Sequence, residues 1–252
     1  MSTTAKYRNG IQTFFDPAQN FETVAPMAPL QFMEEFIGAG HTAGIPAAGS
    51  PTAGYPWVKK IVGAAPPTVA LLSNASGGQV QLALTATSEK QDAVLYWNDN
   101  LAIDVTKKAV WEARAALTVP PSAAGVQMVM GLAAAWIDGP DSNVKYLEFG
   151  ATANANLLVR SQDGTTQSSI AASSAGAAVS LDTGFHVFRI EVGDVTDVGF
   201  YVDGARVNAN SSIGYAASGA NAILQPYFAV YKPSGTGVAT LVVDKVDIWS
   251  NR

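Results

Sequence analysis

Carboxylates and imidazoles are the groups from which hydrolysis, proton transfer and metal binding are built, so their spacing is the first guide to this chain's chemistry. Retaining glycoside hydrolysis needs two carboxyl groups about 5 Å apart. A Glu-x-Asp-x-x-Glu strand supplies them, because alternate strand residues share a face. The seven Glu are Glu22, Glu34, Glu35, Glu89, Glu112, Glu148 and Glu191, and none has an Asp two positions later. Glu191 and Asp194 come nearest, but three residues apart on a strand they face opposite ways. His41 and His186 are the two imidazoles, too few for a three-histidine zinc site. No G-x-S-x-G is present to expose a serine nucleophile. His186 falls within an apolar alternation, where a packed ring satisfied by one hydrogen bond is expected rather than a base. GAGHTAG (38–44) has its last glycine one residue too far along for a dinucleotide loop and no parallel strand before it. No Walker sequence occurs. The chain is therefore expected to have no catalytic residues, no cofactor and no enzymatic activity.

Two polar segments remain. IDGPDSN (137–143) and WNDN (97–100) gather oxygen ligands of the kind hard cations take, but both are also good turns, and no metal site is expected at either. The same segments hold the combination that sugar-binding sandwiches use, an aromatic beside Asp or Asn: Trp97 with Asn98 and Asp99, and Trp136 with Asp138. Both tryptophans end apolar strands, where capping a core is the competing role. Asn74 and Asn210 open formal glycosylation sequons, which act only on a secretory route.

Such groups need a scaffold, and the pattern after residue 67 provides one. VQLALTAT (80–87), AVLYW (93–97), AVWEARAALTV (109–119), VQMVMGLAAAW (126–136), VKYLEFG (144–150), NLLVRSQ (156–162), FHVFRIEV (185–192), VGFYVDG (198–204), LQPYFAVYK (224–232) and ATLVVDKVDIW (239–249) all suit strands. In the third run Trp111, Ala113, Ala115 and Leu117 take one face, and Glu112 and Arg114 the other, the half-buried alternation of an antiparallel sheet. In FHVFRIEV the residues His186, Phe188, Ile190 and Val192 fall together, opposed by Arg189 and Glu191. About ten strands separated by turn signals predict an all-β sandwich of two antiparallel sheets. SSIAASSAGAAVS (168–180), made of small residues, suits a surface loop or a flat, tightly packed edge.

Residues 1–66 read differently. They hold seven Pro and long Gly/Ala stretches, and only LQFMEEFIG (30–38) suits a short helix, with Leu30, Met33 and Phe36 or Ile37 on one side. Tyr7, Phe14, Phe15, Phe21, Phe32 and Phe36 are too many aromatics for a solvated tail. The expectation is an extended N-terminal arm over 1–27 and a body over 28–252, loop-rich to residue 66, with the arm burying its aromatics against its own body or a neighbouring chain. The charge of −5, with 14% charged residues, argues against a nucleic-acid surface, which needs clustered Lys and Arg. No run approaches a membrane span, and the N-terminus lacks the apolar stretch of a secretory signal.

FHVFRIEVGDVTDVGFYVDGARV (185–207) is similar to the hairpin found late in concanavalin A-like jelly rolls, including laminarinase-type glycanases and laminin G-like modules. Phe185, His186 and Phe188 on one strand, then Phe200, Tyr201, Val202, Asp203 and Gly204, carry that likeness, and Asp203-Gly204 suits a tight reversal. A broader resemblance follows the order of KYRNG (6–10), MEEF (33–36), YPWVKKIVG (55–63), PTVALL (67–72), GGQVQLALTATSEKQDAVLYW (77–97), KKAVWEARAAL (107–117) and MVMGLAAAW (128–136). That order resembles lectin-like jelly-roll proteins of tailed-bacteriophage virions, the head decoration or structural proteins. What the resemblance implies is a jelly-roll body on the capsid surface and an arm engaging the major capsid protein or neighbouring copies. It further implies homo-oligomers, trimers among them, made in the host bacterial cytoplasm and located in the virion. Tyr7, Arg8, Phe14, Phe15 and Phe21 are the contact residues this implies; the alternative is glycan recognition through Trp97, Asn98, Asp99, Trp136 and Asp138.

Overall fold

The computed structural model of the chain describes residues 4–8, 11–16, 21–23, 30–37, 44–153, 156–174, 177–179 and 181–251, with residues 4–23 placed at the level of backbone pairing. The first part contributes β1 (Thr4–Arg8), β2 (Ile11–Asp16), β3 (Phe21–Thr23), β4 (Leu30–Glu34), β5 (Val58–Val62), β6 (Thr68–Leu71), β7 (Val80–Ala83) and β8 (Gln91–Tyr96). Then come β9 (Ile103–Asp104), β10 (Val110–Val119), β11 (Gln127–Ala133), β12 (Lys145–Thr152), β13 (Leu157–Asp163), β14 (Gln167–Ala171), β15 (Ser173–Ser174) and β16 (Ala177–Ala178). The last are β17 (Phe185–Glu191), β18 (Gly199–Val202), β19 (Ala205–Arg206), β20 (Ile223–Lys232) and β21 (Thr240–Ser250). Each of the ten runs expected from alternation is a strand, with ends displaced by up to four residues.

Two antiparallel sheets form the sandwich. The first runs β19-β18-β17-β10-β21-β7-β6, with β4 also paired to β21; the second runs β14-β13-β12-β11-β20-β8-β5, with β9 paired to β20. On β10, Trp111, Ala113, Ala115 and Leu117 are at most 2% exposed. The alternation read from sequence is thus the inward face of the first sheet. Facing it, the second sheet sends in Leu95, Met128, Met130, Phe149 and Phe228. An aromatic chain crosses the gap: Trp111 lies 5.7 Å from Phe228, Phe228 5.9 Å from Trp57, and Trp57 5.9 Å from Trp97. Each fully buried side chain of this size contributes about 2–3 kcal/mol of transfer free energy. Asp203 (φ 50°) and Gly204 (φ 80°) make the β18–β19 reversal, both left-handed as a two-residue hairpin turn requires.

One early expectation about these elements needs correction. Residues 30–38 contain no helix over their described part: Leu30–Glu34 is strand β4, with Gln31 opposite Trp249 and Met33 opposite Asp247. The reason is tertiary. β7 pairs with β21 only from Thr240 to Val243, and without β4 the edge from Val246 to Ser250 would leave backbone N–H and C=O groups unpaired. Strand alternation turns Phe32 onto Trp97 (4.8 Å, edge-on) and leaves Met33 64% exposed, the reverse of the helical assignment. The small-residue run 168–180 is in part a flat edge: β14 ends the second sheet and β15 pairs with β16. The described segments of the arm are extended strands, β1, β2 and β3, paired as a three-stranded antiparallel meander. Arg8 pairs with Ile11, and the intervening Asn9-Gly10 is the strongest short hairpin signal a sequence carries.

Where β7 hands over to β4, β21 bulges: Arg114 opposes Lys245 while Ala115 opposes Val243, so Asp244 is extra. Its carboxylate takes hydrogen bonds from Arg114 (2.6 Å) and Gln79 (3.3 Å). Gly78 passes directly under the end of β4, with φ +74° and room for no Cβ, which would stand 2.4 Å from the Phe36 carbonyl oxygen. Gly78→Ala should therefore cost more than about 2 kcal/mol, combining left-handed strain with a backbone clash. Gly54→Ala, also left-handed but with open space around it, should cost about 1 kcal/mol; urea titrations of the two variants measure the difference.

Candidate functional site

An antiparallel sheet commonly packs one face and wets the other, but the second sheet is buried on both. Its outward residues Val58, Val94, Tyr96, Val129, Ala133, Tyr146, Tyr227 and Ala229 form a second apolar cluster, flanked by Ala48 and Trp136. The register sets one row across the sheet: Val58, Tyr96, Tyr227, Gly131, Glu148 and Arg160 stand side by side. Tyr96 and Tyr227 meet edge-on at 6.3 Å. Arg160 donates to Glu148 (Nε to Oε1, 3.0 Å) in a buried ion pair, with its guanidinium 5.5 Å from the centre of the Tyr146 ring.

At one end of this face the chain folds over. The Trp136 backbone N–H donates to Asp99 Oδ1 (2.6 Å), and its indole N–H donates to Asp92 Oδ2 (3.2 Å). Lys60 Nζ lies 4.6 Å from the centre of the Trp136 ring, and with Ala47, Ala48, Lys59 and Ile61 it lines a groove of about 260 Å³ beside it. Lys90 and Asp138 form an ion pair. Gln225 joins the two loops: its amide N–H groups donate to Asp99 Oδ1 (3.1 Å) and the Ala134 carbonyl (3.0 Å), and its oxygen accepts from the amides of Trp97 (3.2 Å) and Asp99 (3.1 Å).

The sequence-predicted residues separate here. Asp99, Trp136 and Asp138, about forty positions apart in the chain, come together. Trp97 does not join them: it is 7% exposed and packed between Phe32 and Trp57, so it offers no platform for a sugar ring. Asn98 and Asp99 are left-handed turn residues (φ 52° and 63°), and the Asn98 side chain accepts the Gly49 amide (3.1 Å). Tyr7 and Arg8 stand on β1, Phe14 and Phe15 on β2, and Phe21 on β3; their side chains lie outside the described structure, as does His41.

Sequence reasoning missed Asp92, Lys60, Lys90 and Gln225. The available signal was QDAVLYW and YFAVY, near-continuous apolar runs that mark two-sided burial and make any polar residue inside them conspicuous. Asp92 is wholly buried on the outward side of β8. Burial pushes its carboxyl up to about 7, against the pull of the Trp136 indole N–H; Asp138 adds to the rise, while the Gly139 amide and Lys90 oppose it. Its Oδ1 has no hydrogen-bond partner among the described residues. His186 has two carboxylate partners rather than one hydrogen bond, Asp203 at Nδ1 (2.7 Å) and Asp182 at Nε2 (3.2 Å). Burial alone would lower its affinity for a proton, but these partners outweigh it and hold the imidazole above its ordinary range. Among the described residues no group of three or more His, Asp or Glu is placed to hold a metal ion.

No protein-family model and no curated protein matches the chain. Solved structures do. HCR/D-Sa-GBL1/C is 9% identical with a TM-score of 0.51, over 83% of this chain and 48% of that one. The binding domain of botulinum neurotoxin DC in complex with rat synaptotagmin II is 10% identical with a TM-score of 0.49, over 83% and 48%. The conserved carbohydrate esterase from the Shiga toxin-encoding bacteriophage phi24B is 13% identical with a TM-score of 0.46, over 77% and 90%. This chain spans about half the length of the first two. At such identity the likeness is one of fold, a two-sheet antiparallel jelly-roll sandwich.

The two tryptophans should respond unequally to truncation. Trp97→Ala, in the core, should cost about 3–5 kcal/mol. Trp136→Ala, on a half-buried site, should cost about 1–2 kcal/mol. Chemical denaturation of both variants checks the order.

Proposed function

We propose that this chain is a non-enzymatic virion structural protein that decorates or cements a capsid surface, attached by its N-terminal segment and displaying the sandwich outward. The observation that carries this reading is that, among the described residues, β1, β2 and β3 form a sheet of their own that pairs with neither sheet of the body. Strands of five, six and three residues are marginal in water by themselves. They gain stability by docking, and the segment's Tyr7, Phe14, Phe15 and Phe21 bring apolar area worth about 25 cal/mol for each Å² removed from water. Repeated over many symmetric copies, a modest individual affinity becomes firm attachment. The major capsid protein and further copies of this chain are the partners, the virion is the location, and synthesis is in the host bacterial cytoplasm. Deleting residues 2–27 should leave the thermal transition of the body in place and abolish binding to purified heads; normal occupancy by the truncated protein would refute the attachment role.

A second reading, glycan recognition, keeps one observation: Trp136 is half-buried beside Asp99 and Asp138, with a groove next to it. It no longer includes Trp97. Binding to a polysaccharide or host-surface glycan array that disappears in Trp136→Ala would favour it, and an array with no signal for the unmodified protein would remove it.

A further inference from the structure

The segment after β11 closes over the outward side of β8 and β20 and is fastened at several points. Trp136 is tied through its backbone to Asp99 and through its indole to Asp92. Asp138 is paired with Lys90. Gly139 lies against the hydroxyl end of Tyr231, so close that a Cβ would stand 3.1 Å from the phenol oxygen. Pro140–Ser142 is a single tight helical turn in which Ser142 N–H bonds the Gly139 carbonyl (3.0 Å). These are the fastenings of a lid, and Asp92 is the fastening underneath it.

Asp92 is poorly suited to carry a charge there. An ionised carboxylate has about four acceptor positions, yet one side-chain hydrogen bond, from the Trp136 indole, and the pull of the Gly139 amide are what reach it, and Oδ1 has no hydrogen-bond partner among the described residues. The charges around it do not compensate. On its own strand's approach Lys90 is nearest, but Lys90 is committed to Asp138 on the lid, and Asp138 is itself an anion facing Asp92. From β20 come Tyr227, whose phenol is held in its neutral form by burial, and Tyr231, opposite Asp92, and from β5 Lys60, which is spent on the Trp136 ring.

We propose that Asp92 is a proton-operated latch on the 136–142 segment: the neutral carboxyl lets the segment lie closed on the Tyr227–Tyr231 side of the second sheet, and the ionised carboxylate recruits water and releases it. The proton is exchanged with solvent, and no other group need change its charge. The direction follows from linkage. A closed lid, in which Asp92 is dry, binds the proton more tightly than an open one in which it is wet. Closure is therefore complete in acid, weakens as the pH rises from the ordinary carboxylate range to about 7, and levels off above that. Opening uncovers a carboxylate beside two tyrosines and frees the Trp136 indole, a surface that closure hides. This latch depends on neither reading of the function.

Hydrogen exchange of the full-length protein tests it. Followed by mass spectrometry and corrected for the intrinsic pH dependence of exchange, peptides covering 134–144 should lose at least tenfold in protection between pH 5 and pH 7.5, while peptides from β10 keep theirs. Asp92→Asn should hold the acid level of protection throughout. A flat or rising profile in the unmodified protein, or the same slope in Asp92→Asn, overturns the proposal. Should Asp92→Asn fail to fold, carboxyl carbon NMR of the unmodified protein decides instead. A midpoint for Asp92 near 7 that falls in Asp138→Asn supports the latch, and a midpoint in the ordinary range near 4 overturns it.

Discussion

The structure depends on the aromatic contact between its two sheets. Trp111 from β10 meets Phe228 from β20, Phe228 meets Trp57 at the entry to β5, and Trp57 meets Trp97 at the exit of β8. Each residue comes from a different strand or strand end, so this line of rings pins the spacing of both sheets at once. Phe32 of β4 then meets Trp97 edge-on, extending the line to the strand that completes the β21 edge. The indole N–H groups of Trp57, Trp97 and Trp111 find no acceptor among the described residues, a cost of about 1–3 kcal/mol for each. The area these rings bury outweighs it.

Burial of the second sheet on both faces has a polar consequence. Groups that would be wet on an ordinary outer face must here find partners inside the protein. Glu148 and Arg160 find each other, and Gln225 satisfies four groups across two loops. Asp92 is among the groups left incompletely satisfied, and it lies under the loop that carries Trp136. Local cost and a half-buried aromatic thus coincide at one place, the pattern expected where a structure keeps two arrangements close in free energy.

The N-terminal meander and the sandwich differ in what holds them. The sandwich has a large core of its own, whereas strands of five, six and three residues are marginal as an isolated sheet. The proposed latch concerns a loop within the sandwich, between β11 and β12.

Alternation along single strands determined the fold class, because a period of two survives in the sequence whatever the neighbouring strand turns out to be. AVWEARAALTV and FHVFRIEV sorted their faces correctly on that basis, and Asp203-Gly204 specified its turn through backbone sterics alone. The tertiary structure decided whatever depends on which strands become neighbours. It drew LQFME into β4 because the edge of β21 needed pairing, and it turned Trp97 inward while leaving Trp136 half out, although both end apolar runs beside acidic residues. It also assembled the candidate site, since Asp92, Asp99, Trp136 and Gln225 meet only through the register of β8, β11 and β20. Local chain preference reaches a few residues along a strand; register and burial act between residues more than a hundred positions apart, where no periodicity records them.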